Sequence, residues 1–430
     1  MRILLTANAS YVPPRGGATR SNMLWLETLA AAGHECRIVA SDLSHDRAGK
    51  LEQLRSEKIH PQILQSASAG GVEILRQGPF LVFAASDPAR RAQILAAQIR
   101  EFQPDWVLVS SEDLGQVLLK EALHAAPERV IYLAHTPQLF PFGPASWNPD
   151  PAGAELVRRT AAIVAIGEHT AGYIARHLGR QPVVIHPPIY GSGPFENLGV
   201  FGSGLVTMIN PCAVKGISIF LALARRMPEI RFGALPGWGT TSGDRKALQS
   251  LSNVTLLANV TSIREVFRRT SVLLMPSLWY EGFGLSVMEA LLHGIPVISS
   301  DSGGLLEAKM GTRFILPVRP IERYEPVFDE HGLPLAVIPE QDIEPWAEAL
   351  RLLMTDPVLY ADESAASHER AVRFVSSIQP AKMEEFLRSL TPAAAAQPDG
   401  SPALPAGLST LSPEKRALLL SRLKKGHAPE

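Results

Sequence analysis

The sequence predicts an α/β protein built from two tandem, doubly wound domains. Three observations predict it. The chain has 430 residues, more than one hydrophobic core ordinarily serves. Short, almost continuously apolar runs alternate with helical stretches, the pattern of parallel strands covered on both faces. The alternation stops at a Gly- and Pro-rich stretch and restarts beyond it.

The elements follow in order. "RILLTA" (2–7), "CRIVAS" (36–41), "DWVLVS" (105–110), "VIYLA" (130–134) and "AIVAIG" (162–167) read as strands. Helical stretches at 19–32, 88–102, 114–126 and 168–178 separate them. Together they make a first domain, 1–186. A hinge at 187–204 lies within "HPPIYGSGPFENLGVFGSG". The second domain, 205–365, has strands at 205–209, 230–234, 254–258, 271–275, 296–299 and 313–316. Its helices fall at 216–227, 262–269, 285–293 and 343–354, and a mixed insertion, 319–342, interrupts it. Helical sequence from 357 ends in closing helices, 366–390. Residues 391–410 are an Ala/Pro linker with one charge, Asp399, expected to be disordered. A short helical tail, 411–430, opens with Ser412 as cap and Pro413 at the first helical position.

Composition excludes several classes. The net charge of −1 gives no field for nucleic acid or an acidic membrane. Cys36 and Cys212 form no metal-ligand or redox spacing and fit a reducing compartment. "MRILLTANAS" reads as a first strand rather than a signal peptide. No apolar run approaches the roughly 18 residues of a membrane span. These features imply a cytoplasmic protein without a transmembrane segment or a bound metal.

In open α/β sheets, ligands bind beyond the carboxyl ends of the strands. Four unusual segments sit there: "NASYVPPRGGATRSN" (8–22), His135 in "LAHTPQ", "NPCAVKG" (210–216) and "PSLWYEGFG" (276–284). On a helix from Leu285 to His293, the apolar residues cover most of the circumference. Ser286, Glu289 and His293 share a narrow polar stripe. The Gly-Phe-Gly at 282–284 brings backbone N–H groups to the helix start, where the dipole favours an anion. Glu281 stands just before it. A phosphate flanked by hydroxyls suits this constellation, and a nucleotide sugar carries both.

"PSLWYEGFGLSVMEALLHGIPVISSDSGGLLE" resembles the donor-binding region of retaining GT-B-fold glycosyltransferases, family 4 in particular. Their hallmark is two glutamates separated by seven residues. Pro276, Ser277, Glu281, Gly282, Phe283, Gly284, Glu289, Ala290, Gly294, Pro296 and Val297 fit that frame, and Gly303, Gly304 and Glu307 follow suit. The resemblance runs loosely over residues 1–390.

The resemblance implies a hexosyltransferase of class EC 2.4. Its two Rossmann-like domains would face a central cleft, the first taking the acceptor and the second a nucleoside-diphosphate sugar, with no other cofactor. Glu289 would bind ribose hydroxyls and Glu281 the transferred sugar. Backbone amides around Gly282, Phe283, Gly284 and Leu285 would hold the donor near its phosphates. Lys215 matches a diphosphate-binding lysine, Gly16 and Gly17 a closing loop, and His135 a histidine near the reacting carbon. One departure stands out: Ile209-Asn210 replaces the usual Gly-Arg, so donor binding at Asn210 lacks a bidentate cation. Arg15 or Arg20 would have to compensate.

The same fold also serves sugar-nucleotide epimerases, phosphorylases and inactive nucleotide-sugar-binding modules. A dinucleotide-dependent oxidoreductase is disfavoured, since the first loop lacks G-x-G-x-x-G. Trp238, Trp279 and Cys212 read as packing residues. The tail, residues 411–426, is similar to linker segments of nonribosomal peptide and polyketide synthases. That implies docking to a synthase and a polyketide or peptide acceptor.

Overall fold

The computed structural model describes residues 1–14, 16–42, 47–56, 59–66, 71–202, 204–260 and 262–390. The linker and tail expected at 391–430 lie outside the described residues, as does Arg15.

Among the described residues, nine strands form the first sheet. They are β1 (Arg2–Thr6), β2 (Glu35–Ala40), β3 (Gln62–Gln65), β4 (Glu73–Gln77), β5 (Phe80–Ala84), β6 (Trp106–Ser110), β7 (Val130–Ala134), β8 (Ala162–Ala165) and β9 (Val183–Val184). Their spatial order is 3-4-5-2-1-6-7-8-9. The sheet is parallel except at one edge, where β3, β4 and β5 pair antiparallel. No strand was expected in this part of the sequence.

The second sheet is parallel throughout: β10 (Leu205–Ile209), β11 (Phe232–Leu235), β12 (Val254–Leu256), β13 (Thr270–Met275), β14 (Val297–Ser300) and β15 (Ile315–Leu316), in order 12-11-10-13-14-15. Apolar cores lie on both faces of each sheet, as two-sided burial of the continuous runs requires. This is the expected pair of Rossmann-like domains.

Local chemistry sets the helix limits. Asp87 caps the helix Pro88–Phe102 by accepting from Arg90 N–H, with Pro88 at the first position. Asp356 does the same before Pro357, accepting from Val358 and Leu359 N–H, and that helix runs unbroken to Ser377 across position 365. The insertion forms an antiparallel hairpin, β16 (Arg323–Phe328) and β17 (Pro334–Val337).

The last helix among the described residues, Lys382–Ser389, packs on the first sheet. Met383 and Leu387 are buried in a core with Ile3, Leu5 and Trp25, and Glu384 Oε1 lies 2.9 Å from His34 Nε2. Among the described residues, no helix is long and apolar enough to cross a membrane.

Candidate functional site

Each sheet reverses its winding direction beside its first strand, between β1 and β6 and between β10 and β13. Crevices open at such points. The glycine loop follows β1, the lysine turn follows β10, and the Glu281 segment follows β13. Topology alone therefore brings three of the four candidate segments to the switch points, and the fourth, at His135, follows the neighbouring β7.

The two halves meet where two helices begin. Gly16, with φ 90°, precedes the helix Gly17–Ala31, and Gly284, with φ 107°, precedes the helix Leu285–Leu292. Both conformations favour glycine. A Cβ at Gly17 would stand 2.9 Å from Leu285 Cδ1. Two positive helix ends thus converge on one place.

Glu281 is held from two sides. Lys215 Nζ lies 2.5 Å from its Oε1 and the Ser277 hydroxyl donates to the same oxygen at 2.6 Å. Both charged residues are buried, at 9% and 8% exposure. Lys215 ends a short turn, Ala213–Lys215, and Gly216 follows with φ 81°. Any side chain at Gly216 would run into the Pro276 carbonyl, so this glycine lets the lysine turn pack against the Glu281 segment. The Lys215 ammonium also sits 5.1 Å from the Trp279 ring centroid. Trp279 is buried by packing, whereas Trp238, against its edge, is 50% exposed.

Glu289 lies one turn into its helix and faces Arg20 of the other half, 3.4 Å away. Burial raises the Glu289 carboxyl above its ordinary range, and the guanidinium pulls it back. A cavity of about 420 Å³ opens beside Glu289, lined also by Tyr190, Phe195, Ser262, Arg264 and His293.

Further bonds join the halves around the glutamate motif. Thr170 Oγ1 donates to the Gly282 carbonyl at 2.9 Å, and a Cβ at Gly282 would collide with the His135 carbonyl. The Phe283 ring is buried against His186 and Phe374. Glu307, whose part the spacing alone does not disclose, accepts from His169 N–H at 3.2 Å and pairs with His186 Nε2 at 2.9 Å.

His135 is 3% exposed. Its Nε2 lies 2.8 Å from Asn22 Oδ1, and its buried Nδ1 has no partner among the described residues. Burial lowers its pKa to about 3, so the ring is neutral. The bond to an amide oxygen assigns the proton to Nε2 and leaves the Nδ1 lone pair free. Asn22 also reaches Tyr11 Oη and Ser110 Oγ.

Asn210 has its side chain turned aside. It adopts φ 56°, and its Oδ1 accepts from Gly239 N–H at 2.9 Å. Its Nδ2 is buried without a partner among the described residues. Cys212 is buried, and burial pushes its thiol up to about 11, in keeping with packing.

Comparisons with known proteins match this geometry. Residues 15–190 match the family model "Glycosyltransferase Family 4", and residues 208–356 match "Glycosyl transferases group 1". The chain is a glycosyltransferase of the GT-B fold. Similar GT-B structures include a glycosyltransferase from Rickettsia africae, at 13% identity and TM-score 0.59, covering 90% of this chain and 98% of that one. Anabaena Alr3699/HepE in complex with UDP-glucose gives 14% identity and TM-score 0.59, covering 91% and 100%. TarM of S. aureus, in complex with UDP among other ligands, gives 10% identity and TM-score 0.60, covering 90% and 99%. In sequence, the glycosyltransferase is 24% identical over 292 residues to exopolysaccharide phosphotransferase SCO2592 of Streptomyces coelicolor. That match takes in 64% of this chain and spans 28% of the relative's length.

Proposed function

We propose that the enzyme transfers a hexosyl group from a nucleoside-diphosphate sugar to an acceptor hydroxyl, with retention of anomeric configuration. One observation carries this reading. Two carboxylates, Glu281 and Glu289, and two cations, Lys215 and Arg20, surround the meeting point of two helix N-termini. The carboxylates suit sugar and ribose hydroxyls. The cations and helix amides suit a diphosphate. HepE in complex with UDP-glucose and TarM in complex with UDP support the donor class.

In this mechanism the bond from the sugar's anomeric carbon to the diphosphate oxygen breaks as positive charge builds on the ring. Lys215 and the amides at the start of the Leu285–Leu292 helix stabilise the leaving diphosphate. The acceptor oxygen forms the new bond on the same face and gives its proton to the departing phosphate oxygen. Neutral His135 presents its Nδ1 lone pair as a hydrogen-bond acceptor beside the reacting sugar. Resident protein cations fill the place of a metal, so the reaction is metal-independent.

The name of the Streptomyces relative raises a second reading, transfer of a sugar phosphate. The nucleotide product separates the two. Glycosyl transfer releases a nucleoside diphosphate, sugar-phosphate transfer releases a nucleoside monophosphate, an epimerase need not release either, and an inactive module cannot. Chromatography of the products from UDP-, GDP-, ADP- and dTDP-sugars decides, and release of the monophosphate alone overturns the proposal. The proposed acceptor is a polyketide or peptide natural product, with the tail at 411–426 docking to its synthase. That tail lies outside the described residues, and a pull-down with and without residues 391–430 tests it.

A further inference from the structure

The two carboxylates of the cleft each engage a cation, and the cations come from opposite halves. Lys215 sits on Glu281 within its own half. Arg20, on the helix after the glycine loop, reaches across to Glu289. Position 210 adds no charge, and its amide oxygen is committed to Gly239.

The two ion pairs differ in character. The Lys215 pair is buried and short. The Arg20 pair is long at 3.4 Å, and its guanidinium is 46% exposed, so it can turn without moving the backbone. A nucleoside diphosphate brings groups with complementary demands. Ribose hydroxyls donate to a carboxylate, and phosphate oxygens accept from a guanidinium fork.

Resting on the donor reading above, we propose that Arg20 is a diphosphate-binding residue that works by exchanging partners. The ribose diol takes Glu289, and the released guanidinium takes a phosphate oxygen. Since Arg20 belongs to the first half, the exchange also ties that half to the donor held by the second. A nucleoside breaks the ion pair and gives Arg20 nothing in return. A diphosphate replaces the lost bond.

Calorimetric binding to the full chain tests this, using UDP, GDP, ADP and dTDP with the matching nucleosides. Arg20→Ala should weaken the best diphosphate about 10- to 100-fold, the range of a charge-assisted hydrogen bond. The matching nucleoside should bind unchanged or tighter. Arg20→Lys should fall between. Equal weakening of nucleoside and diphosphate overturns the inference, as does an unchanged diphosphate affinity in Arg20→Ala when Lys215→Ala is impaired. If no diphosphate binds the wild type, or if Lys215→Ala binds as the wild type does, the donor reading fails and takes this inference with it.

Discussion

Gly17 and Leu285 are in van der Waals contact across the cleft, and a Cβ on the glycine would stand 2.9 Å from Leu285 Cδ1. The atom met is the far end of the Leu285 side chain, which can give way to a lone Cβ but has less room to escape a branched side chain. Gly17→Val should hold the halves apart by a fraction of an ångström. Overpacking of this kind costs about 1–3 kcal/mol, here directed at closure, so kcat/KM should fall on the order of 10-fold. A melting temperature close to wild type would accompany it. Steady-state kinetics and calorimetry check both, and an unchanged kcat/KM would contradict the contact's role.

The Lys215–Glu281 pair should show strong coupling. Removing one member leaves the other buried and unpaired, at a cost of about 3–5 kcal/mol. Lys215→Met with Glu281→Gln should be more stable than either single variant, while all three lose activity. Urea unfolding of the four proteins gives the coupling energy. Additive losses would show that the pair is not the buried unit described.

His135 makes stability depend on acid in a predictable direction. Its folded pKa of about 3 lies below that of a free imidazole. As pH falls through the ordinary imidazole range toward 3, the unfolded chain takes up a proton that the folded chain refuses. Stability therefore drops, by up to about 1.4 kcal/mol per pH unit from this group. His135→Gln should flatten that part of the curve. Identical slopes in the two proteins would rule the assignment out.

Asn210→Ala should destabilise by about 1–3 kcal/mol, because Gly239 N–H loses its acceptor inside the protein. Asn210→Asp keeps the acceptor and tolerates positive φ but buries a carboxylate without a paired cation, so it should recover only part of the loss. Asn210→Arg, which restores a cation at this position, should be no more stable than Asn210→Ala. Thermal unfolding ranks the three.

Activity should survive exhaustive chelation, since Lys215, Arg20 and the helix amides carry the counter-charge in the proposed mechanism. A strict requirement for a divalent cation, restored on its return, would refute that point.

The sequence disclosed the parts that follow local rules. Continuously apolar runs located β1, β2, β6, β7 and β8 to within a residue or two because two-sided burial leaves no polar interruptions. At the antiparallel edge β3–β5, β3 escaped because it is exposed along its length and β4 because it mixes polar with apolar residues, whereas β5, Phe-Leu-Val-Phe-Ala, is as continuously apolar as the strands that were located and was missed all the same. The glutamate spacing marked the candidate site, since it lies within one contiguous stretch. The bonds that complete the site span the chain: Arg20 to Glu289, Thr170 to Gly282, Glu307 to His169 and His186. No periodicity encodes pairs so far apart. The Asn210 substitution was visible, but its side chain's commitment to Gly239 was not.

The return of the helix Lys382–Ser389 to the first sheet has a consequence for biosynthesis. Met383 and Leu387 complete a core whose other members include Ile3, Leu5 and Trp25. A ribosome making this chain presents the earliest strands long before their last neighbours exist. Until residue 390 has cleared the exit tunnel, that apolar face stays open to water and to chaperones. The second half must be synthesised, whether folded or not, before the first can be sealed, so the domain that begins the chain is among the last to be finished.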